Sequence, residues 1–187
     1  MSSLDRYAAK RDFGKTPEPA GGEAAPDGAP RFVVQEHSAT RLHWDLRLEH
    51  DGALASWALP NGIPTAPKDN RLAVRTEEHP LEYLEFHGEI PKGNYGAGTM
   101  RIWDRGTFEL LKWDERKVEV DLHGEQVRGR YALFKIARSD PARPGDEWMI
   151  HRMDPPPEEG WGAGREPMPE TLTPMMARLG DLPADEW

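Results

Sequence analysis

The sequence predicts a mainly β protein: an antiparallel barrel or sandwich of short strands with few short helices, a flexible N-terminal arm and a poorly structured C-terminal tail. Three observations lead there. Short runs rich in Val, Leu, Phe and Trp recur between residues 31 and 152. Turn residues part these runs at close intervals, which favours a barrel or sandwich over a helical bundle. Gly and Pro cluster before residue 31 and after residue 154, the composition of linkers rather than of a packed core.

In chain order, residues 1–30 read as an arm and linker. A mixed segment, Leu4 to Phe13, precedes Gly14, Pro17, Pro19, Gly21, Gly22, Pro26, Gly28 and Pro30. Residues 31–154 hold most of the aliphatic and aromatic residues and form the folded body. Its strands are expected at Arg31–Glu36, Leu42–Glu49, Ala53–Leu59, Arg71–Arg75, Thr99–Trp103, Thr107–Lys112, Val118–Leu122, Arg130–Ile136 and Glu147–Arg152. Asp51-Gly52 between two of these runs signals a hairpin. Helical turns are expected only in the arm and over Pro80–Phe86. Residues 155–187 form a Pro/Gly-rich acidic tail.

The 187 residues include no Cys, which excludes a disulfide scaffold, a thiolate zinc site and a cysteine nucleophile. No apolar run reaches the roughly 18 residues of a membrane span, and the N-terminus lacks a signal-peptide core. The expectation is a soluble cytoplasmic protein. A formal net charge of −9 argues against nucleic acid when taken whole. Its distribution changes that: residues 139–187 alone carry 4 basic and 11 acidic residues, so most of the net negative charge sits in the last quarter. A near-neutral body can still hold a basic site.

The chemistry is concentrated in Leu42–Glu49. Read by parity, Leu42, Trp44, Leu46 and Leu48 share one strand face, while His43, Asp45, Arg47 and Glu49 share the other. His37 keeps the parity of His43 if residues 38–41 do not break the register. Two imidazoles and a carboxylate suit manganese, zinc or iron, and Arg47 beside them offers a planar fork for a phosphate or carboxylate. A His-x-Asp is also what the wet face of an amphipathic strand looks like. Further on, Arg71 and Arg75 could add phosphate contacts. His79, in Glu77-Glu78-His79-Pro80, could serve as acid, base or phosphate donor. The run Pro91–Gly98 resembles a phosphate cradle but lacks the Gly-Lys-Ser/Thr ending, so it reads as a structural loop.

Taken together, Phe32–Glu49 with its His37, His43, Asp45 and Arg47, then Trp57–Pro60, Arg71–Val74, Glu78–Tyr83, Gly88–Gly98 and Trp103–Gly106 resemble the 3′-phosphoesterase domain of bacterial DNA ligase D. The arm, Tyr7–Phe13 with Thr16–Pro19, is similar to that family's N-terminal motif. The resemblance implies a small antiparallel β-barrel with a polar active-site groove on its outer surface, and Mn2+, or another divalent transition metal, on His37, His43 and Asp45. It further implies that Arg47 and Arg71 grip the phosphate, that His79 acts at the scissile phosphate with Tyr83 nearby, and that Arg11, Asp12 and Glu18 serve chiefly a diesterase step. Gln35 matches a further polar position. One position departs: Asn61 stands where family members commonly carry Lys, and Lys68 is a candidate substitute.

The implied activity is 3′-end healing in non-homologous end joining: removal of a terminal ribonucleoside, then of the 3′-phosphate, from DNA primer–template ends. The implied partners are an ATP-dependent DNA ligase, a polymerase and Ku proteins, and the implied location is the bacterial nucleoid. Residues 173–187 resemble the opening of a ligase domain, although no Lys-x-Asp-Gly nucleophile motif is present, so the sequence reads as a piece of a larger ligase or as a free-standing phosphoesterase. Two alternatives stand beside this reading. One is a mononuclear iron oxygenase of jelly-roll type, its third ligand a downstream His123 or His151. The other is an impaired DNA-end-binding adaptor.

Overall fold

The computed structural model describes residues 3–22, 28–136 and 146–153; the tail and its ligase-like segment lie outside them. A short helix α1 (Asp5–Ala9) precedes nine strands: β1 (Arg31–Ser38), β2 (Leu42–His50), β3 (Ala53–Leu59), β4 (Asn70–Arg75), β5 (Gly88–Ile90), β6 (Gly98–Trp113), β7 (Lys117–Gly124), β8 (Arg128–Lys135) and β9 (Glu147–Arg152). A 3₁₀ turn spans Leu81–Glu85. All pairings are antiparallel, in the order β1-β2-β3-β4-β9-β8-β7-β6. Strand β6 then pairs back onto β1 and closes an eight-stranded barrel. The short β5 is added along β6. Closure removes the free edges that would otherwise invite pairing between chains.

The β2–β3 hairpin turns at Asp51 and Gly52, both at positive φ (50° and 79°), the conformation of a two-residue turn that matches strand twist. Two strand expectations need correction. The segments Thr99–Trp103 and Thr107–Lys112 are one 16-residue strand. Asp104-Arg105-Gly106 reads as a break by composition, yet Arg105 opposes Val33, and Gly106 opposes both Phe32 and Gly124. A bulge at Trp103 absorbs the irregularity. A Cβ on Gly106 would collide with the His123 carbonyl, so this close approach requires glycine. The three-residue β5 was not expected, being too short to carry a periodic signal.

Alternation builds two apolar layers. Trp44, Leu46 and Leu48 face the barrel interior with Trp57, Phe108, Val120, Leu133, Trp148 and Ile150. A second cluster lies on the outer wall: Tyr7 from the arm and Leu81, Tyr83, Leu84 and Phe86 cover Val33, Leu54 and Met100. The arm and the 3₁₀ turn are thereby held against the outside of β1 and β6 by ordinary apolar burial.

Leu46 is fully buried in the interior layer. Replacing it with Ala is expected to lower the unfolding free energy by about 2–5 kcal/mol, read from the midpoint of urea denaturation.

Candidate functional site

His37 and His43 are direct cross-strand partners in the β1–β2 hairpin, followed along the same outer face by Gln35 opposite Asp45 and Val33 opposite Arg47. The parity expectation therefore survives the intervening turn. The polar face is not wet: His37, His43, Asp45 and Arg47 are all buried, because the arm, the 3₁₀ turn and residues 77–79 and 95–96 close over it.

His37 Nε2 lies 2.8 Å from the Gly96 carbonyl, and His43 Nδ1 lies 3.2 Å from the Arg41 carbonyl. A carbonyl only accepts, so each of these nitrogens carries the proton and the other ring nitrogen offers a lone pair. Those inner atoms, His37 Nδ1 and His43 Nε2, are 3.2 Å apart. His37 Nδ1 stands 3.5 Å from Asp45 Oδ2, and His43 Nε2 stands 3.5 Å from Asp45 Oδ1. One donor atom from each of the three residues lies within 4.8 Å of the others, a convergence of electron-rich atoms in a buried space that positive charge between them would stabilise. Ligand bonds of about 2.0–2.2 Å to one ion give separations of about 3.0–3.5 Å between neighbouring ligands, the range of the ring–ring and ring–carboxylate distances seen here. The residues present therefore fit a divalent transition metal, with the Gly96 and Arg41 carbonyls orienting the two rings from behind. Among the described residues this is the one group of three with that geometry.

Arg47 stands next to it. Its Nε donates to Gln35 Oε1 (2.6 Å) and its Nη2 to Asp45 Oδ2 (3.2 Å), while the guanidinium lies over the Tyr83 ring at 4.6 Å. Gln35 in turn donates to the carbonyls of Tyr83 and Phe86, tying the arginine to the 3₁₀ turn. Nη1 of Arg47 is buried without a hydrogen-bond partner. A buried charged donor left unpaired costs at least about 1–3 kcal/mol. Such a donor, lining a cavity beside a metal-ligand cluster, is what an anion-binding site keeps in reserve. Burial alone would raise the Asp45 carboxyl; Arg47 and His43 outweigh it and hold the group well below the carboxylate range.

The arm supplies the roof. Arg11 donates to Glu18 (2.8 Å) and Glu77 (3.1 Å), and its Nη2 lies 3.4 Å from His79 Nε2. Glu18 also accepts from Tyr83 Oη (2.9 Å) and Thr16 Oγ1 (2.9 Å). His79 Nδ1 faces the Glu77 carbonyl at 2.9 Å, so Nε2 holds the lone pair that Arg11 approaches. Burial, together with Arg47 and Arg11, holds His79 well below its ordinary value; the ring is neutral near pH 7. Burial also pushes the Tyr83 phenol well above its usual range, keeping it a proton donor.

Arg11, Glu18, His37, His43, Asp45, Arg47, His79 and Tyr83 line one narrow cavity of about 30 Å³, with Gln35 buried behind them. Three expected residues are not brought in. Arg71 is bound to Asp69 and to the Asn61 carbonyl, outside the cavity lining. Asn61 stays with Arg71. Asp12 is exposed and caps the turn at Gly14. Lys68 is exposed, with φ at +65°, and is not part of the lining either. His123 is exposed and His151 bonds Asn70, so neither completes the triad and the oxygenase arrangement is not the one observed. Sequence reasoning passed over Glu77 and Tyr95, which close the cavity with Lys10. It also gave Gly96 no site role. The signal that was available was adjacency: Glu77 lies two residues before His79, and Tyr95-Gly96 sits in the run set aside as structural.

His79 and Glu77 make stability pH-dependent with one sign. Although burial alone would raise it, Glu77 is held low by a backbone hydrogen bond and by Lys10 and Arg11. Both groups have folded pKa values below their unfolded ones, so their contributions are present above the unfolded pKa and are lost as pH falls. The melting temperature is expected to drop as pH is lowered from about 7 to about 5, through the ordinary histidine value of 6.5. His79→Gln should flatten that segment of the curve in a differential scanning experiment. An unchanged slope would remove His79 as its source.

Residues 35–135 match the sequence profile of the DNA ligase D 3′-phosphoesterase domain. The multifunctional non-homologous end joining protein LigD of Mycolicibacterium smegmatis is 44% identical over 191 residues, covering 96% of this chain and 23% of that protein. The corresponding Mycobacterium tuberculosis protein is 46% identical over 156 residues, covering 80% and 20%. The Pseudomonas aeruginosa protein is 37% identical over 227 residues, covering 98% and 27%. The chain thus spans about a quarter of the length of these curated relatives.

Proposed function

This chain belongs to the DNA ligase D 3′-phosphoesterase family, and from that membership we propose that it is a manganese-dependent phosphoesterase that restores a ligatable 3′-OH at nucleic-acid ends. The observation that carries the reading is the buried, unpaired Nη1 of Arg47 beside the His37–His43–Asp45 triangle, an anion donor adjacent to a cation site. In this reading residues 31–154 are the catalytic barrel, residues 1–30 an arm completing the site, and residues 155–187 a Pro/Gly-rich acidic tail resembling the start of a ligase domain. The proposed setting is end joining inside the cell, on primer–template ends, alongside ligase, polymerase and Ku.

The charge arrangement supports a metal-dependent anion site. The carboxylates of Asp45, Glu18 and Glu77 are matched by Arg47, Arg11 and Lys10, so the protein alone has no surplus of positive charge for a phosphate. A divalent ion on His37, His43 and Asp45 would supply that surplus and polarise a phosphoryl oxygen. Arg47 Nη1 binds a non-bridging oxygen, and the Tyr83 hydroxyl remains a donor at the same wall. His79 enters neutral, its Nε2 holding a lone pair on the cavity side. In the monoesterase step water forms the new P–O bond as the P–O3′ bond breaks; one proton of the water passes to the departing O3′, which leaves as the alcohol, and His79 Nε2 assists that transfer. In the diesterase step water likewise forms a new P–O bond, the P–O5′ bond to the terminal ribonucleoside breaks, and the proton goes to O5′, leaving a 3′-phosphate.

The test is a duplex with one 3′-terminal ribonucleotide, incubated with manganese or with chelator, its products separated as 3′-phosphate and 3′-OH ends. Both products are expected with manganese and neither with chelator. His43→Ala and Asp45→Ala should abolish both steps and manganese binding by calorimetry. Arg47→Lys should lose at least about tenfold in kcat/KM, since an ammonium does not reproduce the held fork. Full activity of Asp45→Ala would refute the metal assignment.

A further inference from the structure

A second and much larger hollow lies on the same outer wall, on the far side of the 3₁₀ turn. Its volume is about 600 Å³, against about 30 Å³ for the metal cavity. Consecutive residues of the turn serve the two: Tyr83 lines the first, Leu84 and Glu85 the second. Arg31, Arg105 and Arg128 line it together with His123, Glu85 and Glu125.

Register places the hollow with respect to the site. Val33 is paired with Arg47 on one side and with Arg105 on the other. Arg105 therefore projects from the same outer face two strand spacings, about 10 Å, from Arg47. The Arg105 guanidinium is exposed and makes no hydrogen bond or ion pair among the described residues. Arg128 uses only Nε, on the Gly124 carbonyl, leaving its terminal nitrogens outward. Arg31 is already engaged with Glu49 and adds less.

The far wall is built rather than loose. The buried Asp104 carboxylate accepts backbone N–H groups from Arg105, Glu125, Gln126 and Val127. Gln126 reaches back to the Trp103 carbonyl. This fixes the β7–β8 turn that carries Glu125 and leads into Arg128. Below it, Gly106 opposite Gly124 keeps the floor low.

We propose that this hollow holds the phosphodiester backbone of the nucleic acid whose 3′ end occupies the metal cavity, with Arg105 and Arg128 as its phosphate contacts. The inference rests on the end-healing reading and extends it: the small cavity takes the terminal phosphate, and the hollow takes chain further from the end. The lining carboxylates of Glu85 and Glu125 offset part of the charge, so each contact is weak and the affinity is built by summing them.

The test is fluorescence anisotropy with the full chain and a labelled duplex carrying a 3′-phosphate, titrated over a range of salt. For Arg105→Glu/Arg128→Glu the dissociation constant should rise about tenfold, and the slope of its logarithm against log salt should fall by about 2. Arg105→Gln, a milder change, should cost about threefold. Phosphate release from a nucleoside 3′-monophosphate, which is too short to reach the hollow, should stay within about twofold of wild type. Wild-type binding and salt slope in all variants would overturn the inference even if hydrolysis is intact. Weakened binding in the variants without any hydrolysis by wild type would instead uphold the surface and defeat the end-healing reading. A loss on the mononucleotide equal to that on the duplex would also overturn it, placing the effect in the metal cavity.

Discussion

A full positive charge, Arg47, is held on the outer face of a barrel strand where water does not reach it, and most of the site follows from satisfying that one group. Removing a guanidinium from water is tolerable only with close partners. Asp45 supplies the charge, Gln35 an acceptor and Tyr83 an aromatic face. Each partner is also engaged elsewhere. Asp45 belongs to the metal triangle, Gln35 anchors the 3₁₀ turn, and Tyr83 holds Glu18 of the arm. The same arginine helps keep His79 neutral. The arginine therefore sets the protonation of its neighbours as well as presenting a donor.

The sequence displayed the barrel and the β1–β2 hairpin for one reason: both are written in short-range alternation. Trp44, Leu46 and Leu48 against His43, Asp45 and Arg47 is a period of two, and cross-strand pairing then brings His37 to His43 without further information. The arm is different. Tyr7, Arg11 and Glu18 sit among Gly and Pro, and nothing local says that they seat on Val33, His79 and Tyr83. Glu77 and Tyr95 were missed on the same ground, as their roles exist only once three separate segments meet. Strand β6 was misdivided because Asp104 and Gly106 have turn chemistry, whereas here the carboxylate serves a neighbouring turn and the glycine serves a close approach. Arg71, expected from its strand face and the family motif, is bound to Asp69 and the Asn61 carbonyl in this structure, contacts that no local pattern announces.

Net charge illustrates how a whole-chain number can mislead. The formal −9 gives no sign of either the balanced cluster under the arm or the arginines beyond the 3₁₀ turn. Within the cavity, opposite charges are paired nearly one for one, which fits a site meant to respond to an added ion rather than to attract polyanions by itself. The more open hollow beyond the turn is where long-range attraction would act, and its arginines are exposed enough to be screened by salt.

The three atoms of the metal triangle come from residues 37–45, a stretch with no long loop between them. A denatured chain therefore keeps all three donors near one another and remains a chelator of some strength. Ion bound to the unfolded state subtracts from the stabilisation the folded state gains. A thermal shift on adding metal would thus understate the affinity of the native centre. What the native barrel adds is orientation, through the carbonyls of Gly96 and Arg41, so selectivity among ions is where folding should leave its mark.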